Sequence, residues 1–137
     1  MTEAPAIEIE DLSWSYLNQE DQALSEINLT VEESDVLGIV GPNEHGKTTL
    51  LKAVSGMIPR STNGIKEGRV SLHGREVESY GERELASTVG FVFSDPELQF
   101  TMMNVMDEII FGLENLRLDA DEIEERLYWA AEKVGIE

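Results

Sequence analysis

The sequence of 137 residues contains no cysteine, which excludes disulfide bonds, thiolate metal ligands and cysteine nucleophiles. Positive charge is also scarce: 10 Lys and Arg stand against 28 Asp and Glu, and the net charge of −18 argues against binding nucleic acid or anionic lipid through bulk charge. No apolar run approaches the roughly 20 residues of a membrane-spanning helix. The N-terminus lacks the basic and apolar regions of a secretory signal. These absences predict one soluble, intracellular, acidic domain.

The acidic composition has two interpretations. With 41% hydrophobic residues the chain can bury a core, so its acidity does not predict disorder. A large negative charge keeps a protein soluble in a high-salt cytoplasm, where salt screens the repulsion between carboxylates. The alternative is an ordinary acidic protein. Thermal stability measured against KCl separates the two, because only the halophilic interpretation predicts a gain between low and molar salt.

The apolar pattern predicts strands of two kinds. Alternation of apolar and polar residues predicts strands with one buried face at Ile7–Tyr16, at Ile27–Val31 and, more briefly, at Val70–Leu72. Val36–Val40 and Val89–Phe93 are instead continuously apolar, which is typical of strands buried on both faces of a parallel sheet.

Helical spacing of apolar residues predicts three helices and one helical turn between these strands. The helices are Thr48–Ile58, which Pro59 ends, Asn104–Leu116 and Asp121–Val134, and the helical turn is Glu82–Ser87. Polar residues predict loops at 18–21 and 60–66. Because strands alternate with helices, the predicted fold class is α/β.

Residues Gly41–Thr48 match the P-loop pattern G-x-x-x-x-G-K-[ST], between a predicted buried strand and an amphipathic helix. In such a loop the backbone N–H groups form an anion cradle, which Gly46 lets a phosphate approach closely. Lys47 would contact the β- and γ-phosphates, and the Thr48 hydroxyl would ligate Mg²⁺. The alternative is a plain glycine turn before a helix. The flanking elements favour nucleotide binding.

Glu44 and His45 are the unusual residues of this loop. A carboxylate at position 44 is unfavourable beside a triphosphate unless its side chain points outward. His45 has two interpretations, a hydrogen-bond donor to phosphate or a partner subunit, and a loop histidine that faces solvent. His73, on a short strand before a glycine, is predicted to be structural.

Together with the P-loop match, several further segments make the whole chain resemble the ATPase subunit of ABC transporters. Trp14–Tyr16 is similar to the segment that stacks on adenine in that family, with Tyr16 as the stacking ring. Val89–Gln99 and Val105–Asn115 resemble the Q-loop region of energy-coupling-factor ATPases, which serve vitamin, cobalt or nickel uptake. The resemblance implies a P-loop NTPase fold, a RecA-like ABC ATPase core with an N-terminal antiparallel β subdomain. Residues 1–137 would form the N-terminal part of one nucleotide-binding domain.

The motif and the resemblance together imply a nucleotide site with ATP and Mg²⁺ as its cofactors. Its residues would be Tyr16, Gly41, Asn43, Glu44, His45, Gly46, Lys47, Thr48 and Thr49. Ser94 stands where the family has the Q-loop glutamine, and its shorter side chain would reach the metal only through a water. Glu44 and His45 stand where small residues are usual.

The family's signature segment and switch histidine do not occur in the sequence, and no apolar strand ends in the family's Asp-Glu metal pair. We therefore expect an incomplete domain that alone binds nucleotide without hydrolysing it, is marginally stable or self-associates, and contains no complete catalytic set. The implied partners are a second ATPase subunit and transmembrane subunits that dock near Ser94–Met103, at the cytoplasmic face of the membrane. Two alternatives are a non-catalytic or degenerate nucleotide-binding fragment and an ABC-type DNA-repair or chromosome-maintenance ATPase head, although no heptad repeat follows the P-loop.

Overall fold

The strands that the structure describes form one antiparallel sheet of four. The structure is a computed structural model that describes residues 4–136, and it divides into two compact units at Val89 and Gly90. In the first unit the sheet has the order β2-β1-β3-β4. The strands are β1 (Ile7–Tyr16), β2 (Leu24–Val31), β3 (Gly64–Leu72) and β4 (Arg75–Glu76). The predictions of β1, of β2 and of a strand around Val70 are confirmed.

A β-bulge interrupts the pairing of β1 with β3. Glu10 pairs with Arg69, but the next pair in register is Ser13 with Glu67. At the bulge Asp11 has a φ of 47° and Gly68 a φ of 77°. A Cβ on Gly68 would overlap backbone carbonyl oxygens of β1, so only glycine fits there. The bulge moves the buried face along β1 by one residue, which gives the buried apolar positions Ile9, Leu12 and Trp14.

The hydrophobic core of this unit lies against the sheet. Leu12, Trp14 and Val70 are completely buried, and apolar residues from outside the sheet close over them. Those residues are Ala53, Ile58, Val77 and Leu85. Burial of such side chains is the main source of stability for a sheet of this size.

The helix predicted at Thr48–Ile58 is divided in the structure. Helix α1 spans Lys47–Val54, and α2 spans Met57–Arg60 with Ile58 outside helical geometry. The chain turns at Gly56, which brings Ile58 to 2% exposure in the core. A continuous helix was therefore the wrong prediction, because burial of Ile58 outweighs the local helical pattern.

The two buried parallel strands predicted at 36–40 and 89–93 are not formed. Among residues 4–136 neither segment pairs with another strand, and Val36, Val40 and Val92 are 101%, 92% and 77% exposed. A parallel strand is stable only when neighbours supply its hydrogen bonds and cover its faces. The prediction of strands from apolar composition was therefore wrong, because the described residues provide neither requirement.

Other segments of the first unit follow the pattern more closely. Helix α3 spans Glu82–Thr88 and confirms the helical turn predicted there, and a single 3₁₀ turn at Val77–Ser79 precedes it. The loop predicted at 60–66 is shorter than expected, since β3 already begins at Gly64 opposite Tyr16. Pairing with β1 thus extends β3 into polar sequence.

The second unit, from Gly90 onward, is helical. A 3₁₀ turn at Pro96–Gln99 is followed by α4 (Val105–Asn115) and α5 (Ala120–Val134), so both predicted helices are confirmed. Each begins with a side-chain cap: Asn104 Oδ1 accepts from Asp107 N, and Asp119 Oδ1 accepts from Glu122 N, both at 2.9 Å. No helix within residues 4–136 is long and apolar enough to span a bilayer.

Candidate nucleotide-binding site

The candidate site is built at the start of helix α1. Gly46 is the residue that caps the helix, and its carbonyl oxygen accepts the first helical hydrogen bond from Leu50 N at 2.8 Å. Its φ of 80° and its close approach to Ala23 require glycine, because a Cβ would overlap the Ala23 carbonyl oxygen. The helix therefore starts directly against the segment that leads into β2.

The backbone of the loop has the geometry of an anion cradle. Positive φ values at alternate residues, 63° at Glu44 and 80° at Gly46, are typical of nests in which successive N–H groups converge. The first-turn N–H groups of an α-helix have no partner within the helix, and they carry its positive dipole end. No acidic residue lies in the first turn of α1 to compete for them. This end of the helix therefore suits a phosphate group.

Lys47 lies across the loop. Its Nζ donates to the Gly41 carbonyl oxygen at 2.9 Å and also to the Pro42 carbonyl oxygen. These bonds close the loop between its first two residues and the first residue of α1. They place the ammonium group, which is the cation of the motif, against the carbonyl oxygens of the first two loop residues.

Tyr16 joins the sheet to the same helix. Tyr16 is the last residue of β1, and a hydrogen bond of 3.0 Å joins its hydroxyl oxygen and Thr49 Oγ1. Its ring also meets Trp14 edge to face, with centroids 5.7 Å apart and planes at 83°. Thr49 is 8% exposed, whereas Tyr16 is half-buried.

A cleft of about 580 Å³ unites these groups. Of the predicted residues, Gly41 and Asn43 are not in its lining and contribute carbonyl oxygens to Lys47 and His45. The lining consists of Tyr16, Gln19, Asp21, Gln22, Ala23, Glu44, His45, Gly46, Lys47, Thr48 and Thr49. Sequence reasoning missed the wall formed by Gln19, Asp21, Gln22 and Ala23, since it predicted only a loop at 18–21. One signal in the sequence could have found this wall: the polar segment follows Tyr16, the predicted stacking residue, within a few positions.

The charges of the cleft are mixed. Asp21 and Glu44 supply two carboxylates to the lining, and Lys47 supplies the ammonium group. The carboxylate of Glu44 is thus near the candidate phosphate site. This arrangement is electrostatically unfavourable beside a triphosphate. His45 Nδ1–H donates to the Asn43 carbonyl oxygen at 2.7 Å, so this ring nitrogen is used within the loop.

The residues present fit a nucleotide phosphate with a magnesium ion. Gly46 gives the close approach, Lys47 the positive charge, and Thr48 a hydroxyl oxygen of the hard type that Mg²⁺ prefers. Among residues 4–136 no group of three or more His, Asp or Glu side chains could hold a metal by itself. A cation here would take Thr48 together with phosphate and water oxygens, as Mg²⁺ commonly does.

Ser94 belongs to the second unit. It is exposed in a bend before the 3₁₀ turn. Nearby, the Gln99 side-chain oxygen accepts a hydrogen bond from Phe93 N at 3.2 Å.

Comparison with known proteins gives matches along nearly the whole chain. A family model described as ABC transporter matches residues 24–137. An ABC transporter ATP-binding protein of Pyrococcus abyssi is 38% identical over 130 residues, which is 95% of this chain and 46% of that protein. A protein of Bacillus subtilis named as an HMP/thiamine import ATP-binding protein is 34% identical over 93% of this chain and 24% of its own length.

A solved structure is similar as well. The nucleotide-free ATP-binding cassette of an ABC transporter matches with a TM-score of 0.61 and 26% identity, over 86% of this chain and 44% of that one. The likeness confirms the predicted fold class. The chain spans about half the length of the Pyrococcus relative and of this structure.

Proposed function

The chain belongs to the ABC transporter family of ATP-binding proteins, and we propose that its loop Gly41–Thr48 binds ATP for an ABC-type membrane transporter. One observation carries this proposal: residues 44–48 of the loop, Lys47 among them, and Tyr16 line a single cleft. Phosphates and a base are two of the three chemical parts of a nucleotide, and the cleft offers a complementary group for each of these two.

Each residue has a definite role in this proposal. The N–H groups of the loop and of the first turn of α1 bind phosphate oxygens, and Lys47 exchanges its bonds to loop carbonyls for bonds to the β- and γ-phosphates. Thr48 would supply a ligand oxygen to Mg²⁺, and the ion would neutralise phosphate charge. Tyr16 contacts the base. In this proposal these residues bind and orient the nucleotide.

The proposed membrane partner docks on the segment Ser94–Met103. Phe100, Met102 and Met103 are 65%, 38% and 100% exposed, so they are accessible to a partner. Methionine side chains adapt to varied apolar surfaces. This exposure favours a docking role over the alternative of packing inside the chain.

The proposed system is an importer of the energy-coupling-factor type. Support comes from Phe111–Asn115, which resembles that subgroup, and from the Bacillus relative whose name describes import of HMP/thiamine. In this proposal the chain acts at the cytoplasmic face of the membrane with a second ATPase subunit.

Titration of the chain with Mg-ATP by calorimetry tests nucleotide binding. Lys47→Ala is expected to abolish the heat of binding, whereas Lys52→Ala, on the same helix and outside the cleft, leaves it unchanged. Equal binding by the wild type and Lys47→Ala would contradict the proposal. ATP turnover is expected to be undetectable in all three proteins.

A further inference from the structure

The hydrogen bond between Tyr16 and Thr49 links two parts of the chain that are 33 residues apart. One is the end of β1, and the other is the first turn of α1. Both residues line the cleft. The bond therefore lies between the group proposed for the base and the helix proposed for the phosphates.

Two contacts fix the ring of Tyr16. Its hydroxyl is hydrogen-bonded to Thr49 at 3.0 Å, and its ring makes an edge-to-face contact with Trp14, with the ring centroids 5.7 Å apart. Both anchors are themselves buried, since Trp14 is 0% and Thr49 8% exposed. A β-branched threonine also has few rotamers available. The ring is thus held in one orientation before any ligand arrives.

From this geometry we infer that Thr49 is a positioning residue for the base of the nucleotide, acting through the hydroxyl of Tyr16. A ring already ordered loses less conformational entropy when a flat base stacks on it. Without the bond the ring samples other orientations, and only a fraction of molecules presents the binding surface. The inference rests on the proposed nucleotide function and names a determinant of base affinity within it.

The test compares ATP with inorganic tripolyphosphate, which has the phosphates and no base. The measured quantity is the Kd for ATP divided by the Kd for tripolyphosphate, both from calorimetry. Tyr16→Phe keeps the ring and removes the hydroxyl, and Thr49→Val removes the other hydroxyl at nearly constant shape. Each is expected to raise the ratio about threefold to tenfold, the range that loss of one hydrogen bond gives.

The double variant Tyr16→Phe with Thr49→Val is expected to raise the ratio no further than either single variant, because both changes remove one bond. Tyr80→Phe is the matched control. Its hydroxyl donates to the Leu72 carbonyl oxygen at 2.9 Å, away from the cleft. It is expected to leave the ratio unchanged, and thermal unfolding of every variant shows that each remains folded.

An unchanged ratio in Tyr16→Phe would overturn the inference, as would additive effects in the double variant. Those results leave the proposed function intact if Lys47→Ala still loses both ligands. Failure of the wild type to bind either ligand would overturn the nucleotide site and the inference together. The two failures are therefore distinguishable.

Discussion

Replacing Gly46 by alanine tests the backbone geometry on which the candidate site depends. Gly46 has a φ of 80°, and its missing Cβ leaves room for the carbonyl oxygen of Ala23. That carbonyl cannot move aside easily, because Ala23 N is bonded to the Trp14 carbonyl oxygen at 2.8 Å. Alanine at this position would therefore meet fixed backbone.

Two costs combine in Gly46→Ala. A left-handed conformation costs an L-residue roughly 1–2 kcal/mol, and forcing extra volume into a packed site typically costs about 1–3 kcal/mol. The expected penalty is therefore about 2–5 kcal/mol, or about 30-fold to several thousand-fold in an equilibrium constant. If the loop keeps its conformation, the free energy of unfolding falls by this amount. If the loop relaxes, the same penalty reduces the affinity for ATP.

Urea unfolding measures the loss of stability, and calorimetric titration with ATP measures the loss of affinity. Gly41→Ala is the control in the same loop, since a Cβ there meets nothing within 4 Å. It is expected to change the free energy of unfolding by less than about 1 kcal/mol. A Gly46→Ala protein with wild-type stability and wild-type ATP affinity would refute the reasoning.

Glu44→Gln is expected to strengthen ATP binding about twofold to fivefold at low salt, because a carboxylate in the cleft repels phosphate. The gain in affinity should shrink in 0.5 M KCl. An effect that does not depend on salt in calorimetric titrations would contradict this cause. The hydrogen bond from Arg75 holds the pKa of Glu84 below its ordinary value. This pair therefore contributes stability above the ordinary pKa, and the contribution is lost as the pH falls through the lowered one. Urea unfolding should show Glu84→Gln less stable than wild type at pH 7 and equal to it in acid, and a difference that persists in acid would argue against the pair. Since Val40 is 92% exposed within an apolar segment, Val40→Ser is expected to reduce self-association in analytical ultracentrifugation. A wild-type protein that is already monomeric would disprove that expectation.

The phosphate end of the site was predictable from sequence because its geometry is local. Eight consecutive residues specify the loop, and Gly46 must adopt a positive φ wherever such a loop enters a helix. The wall at 19–23 was not predictable in the same way. Its place depends on the contact of Ala23 with Gly46, which joins residues far apart in the chain.

The parts of the fold that were predictable are likewise those that local sequence determines. Helices α4 and α5 carry their own caps and internal hydrogen bonds, so pattern and capping residues were sufficient to locate them. The alternation of apolar and polar residues predicted β1 over its full length but predicted β3 only at Val70–Leu72, because the earlier part of β3 is polar and is a strand through its pairing with β1. The segments at 36–40 and 89–93 have strand composition, but composition alone supplies no neighbouring strand.

The bulge at Asp11 has a consequence at the far end of its strand. Side chains alternate between the faces of a strand, so an odd number of added or removed residues reverses every position beyond it. In β1 the bulge sets which face Tyr16 occupies, five residues later, and Gly68 is the partner that accommodates it. Removing Asp11 would turn Tyr16 away from Thr49 while leaving the P-loop sequence untouched. The affinity of the cleft can thus depend on the number of residues in β1, although Tyr16 is the β1 residue that lines the cleft.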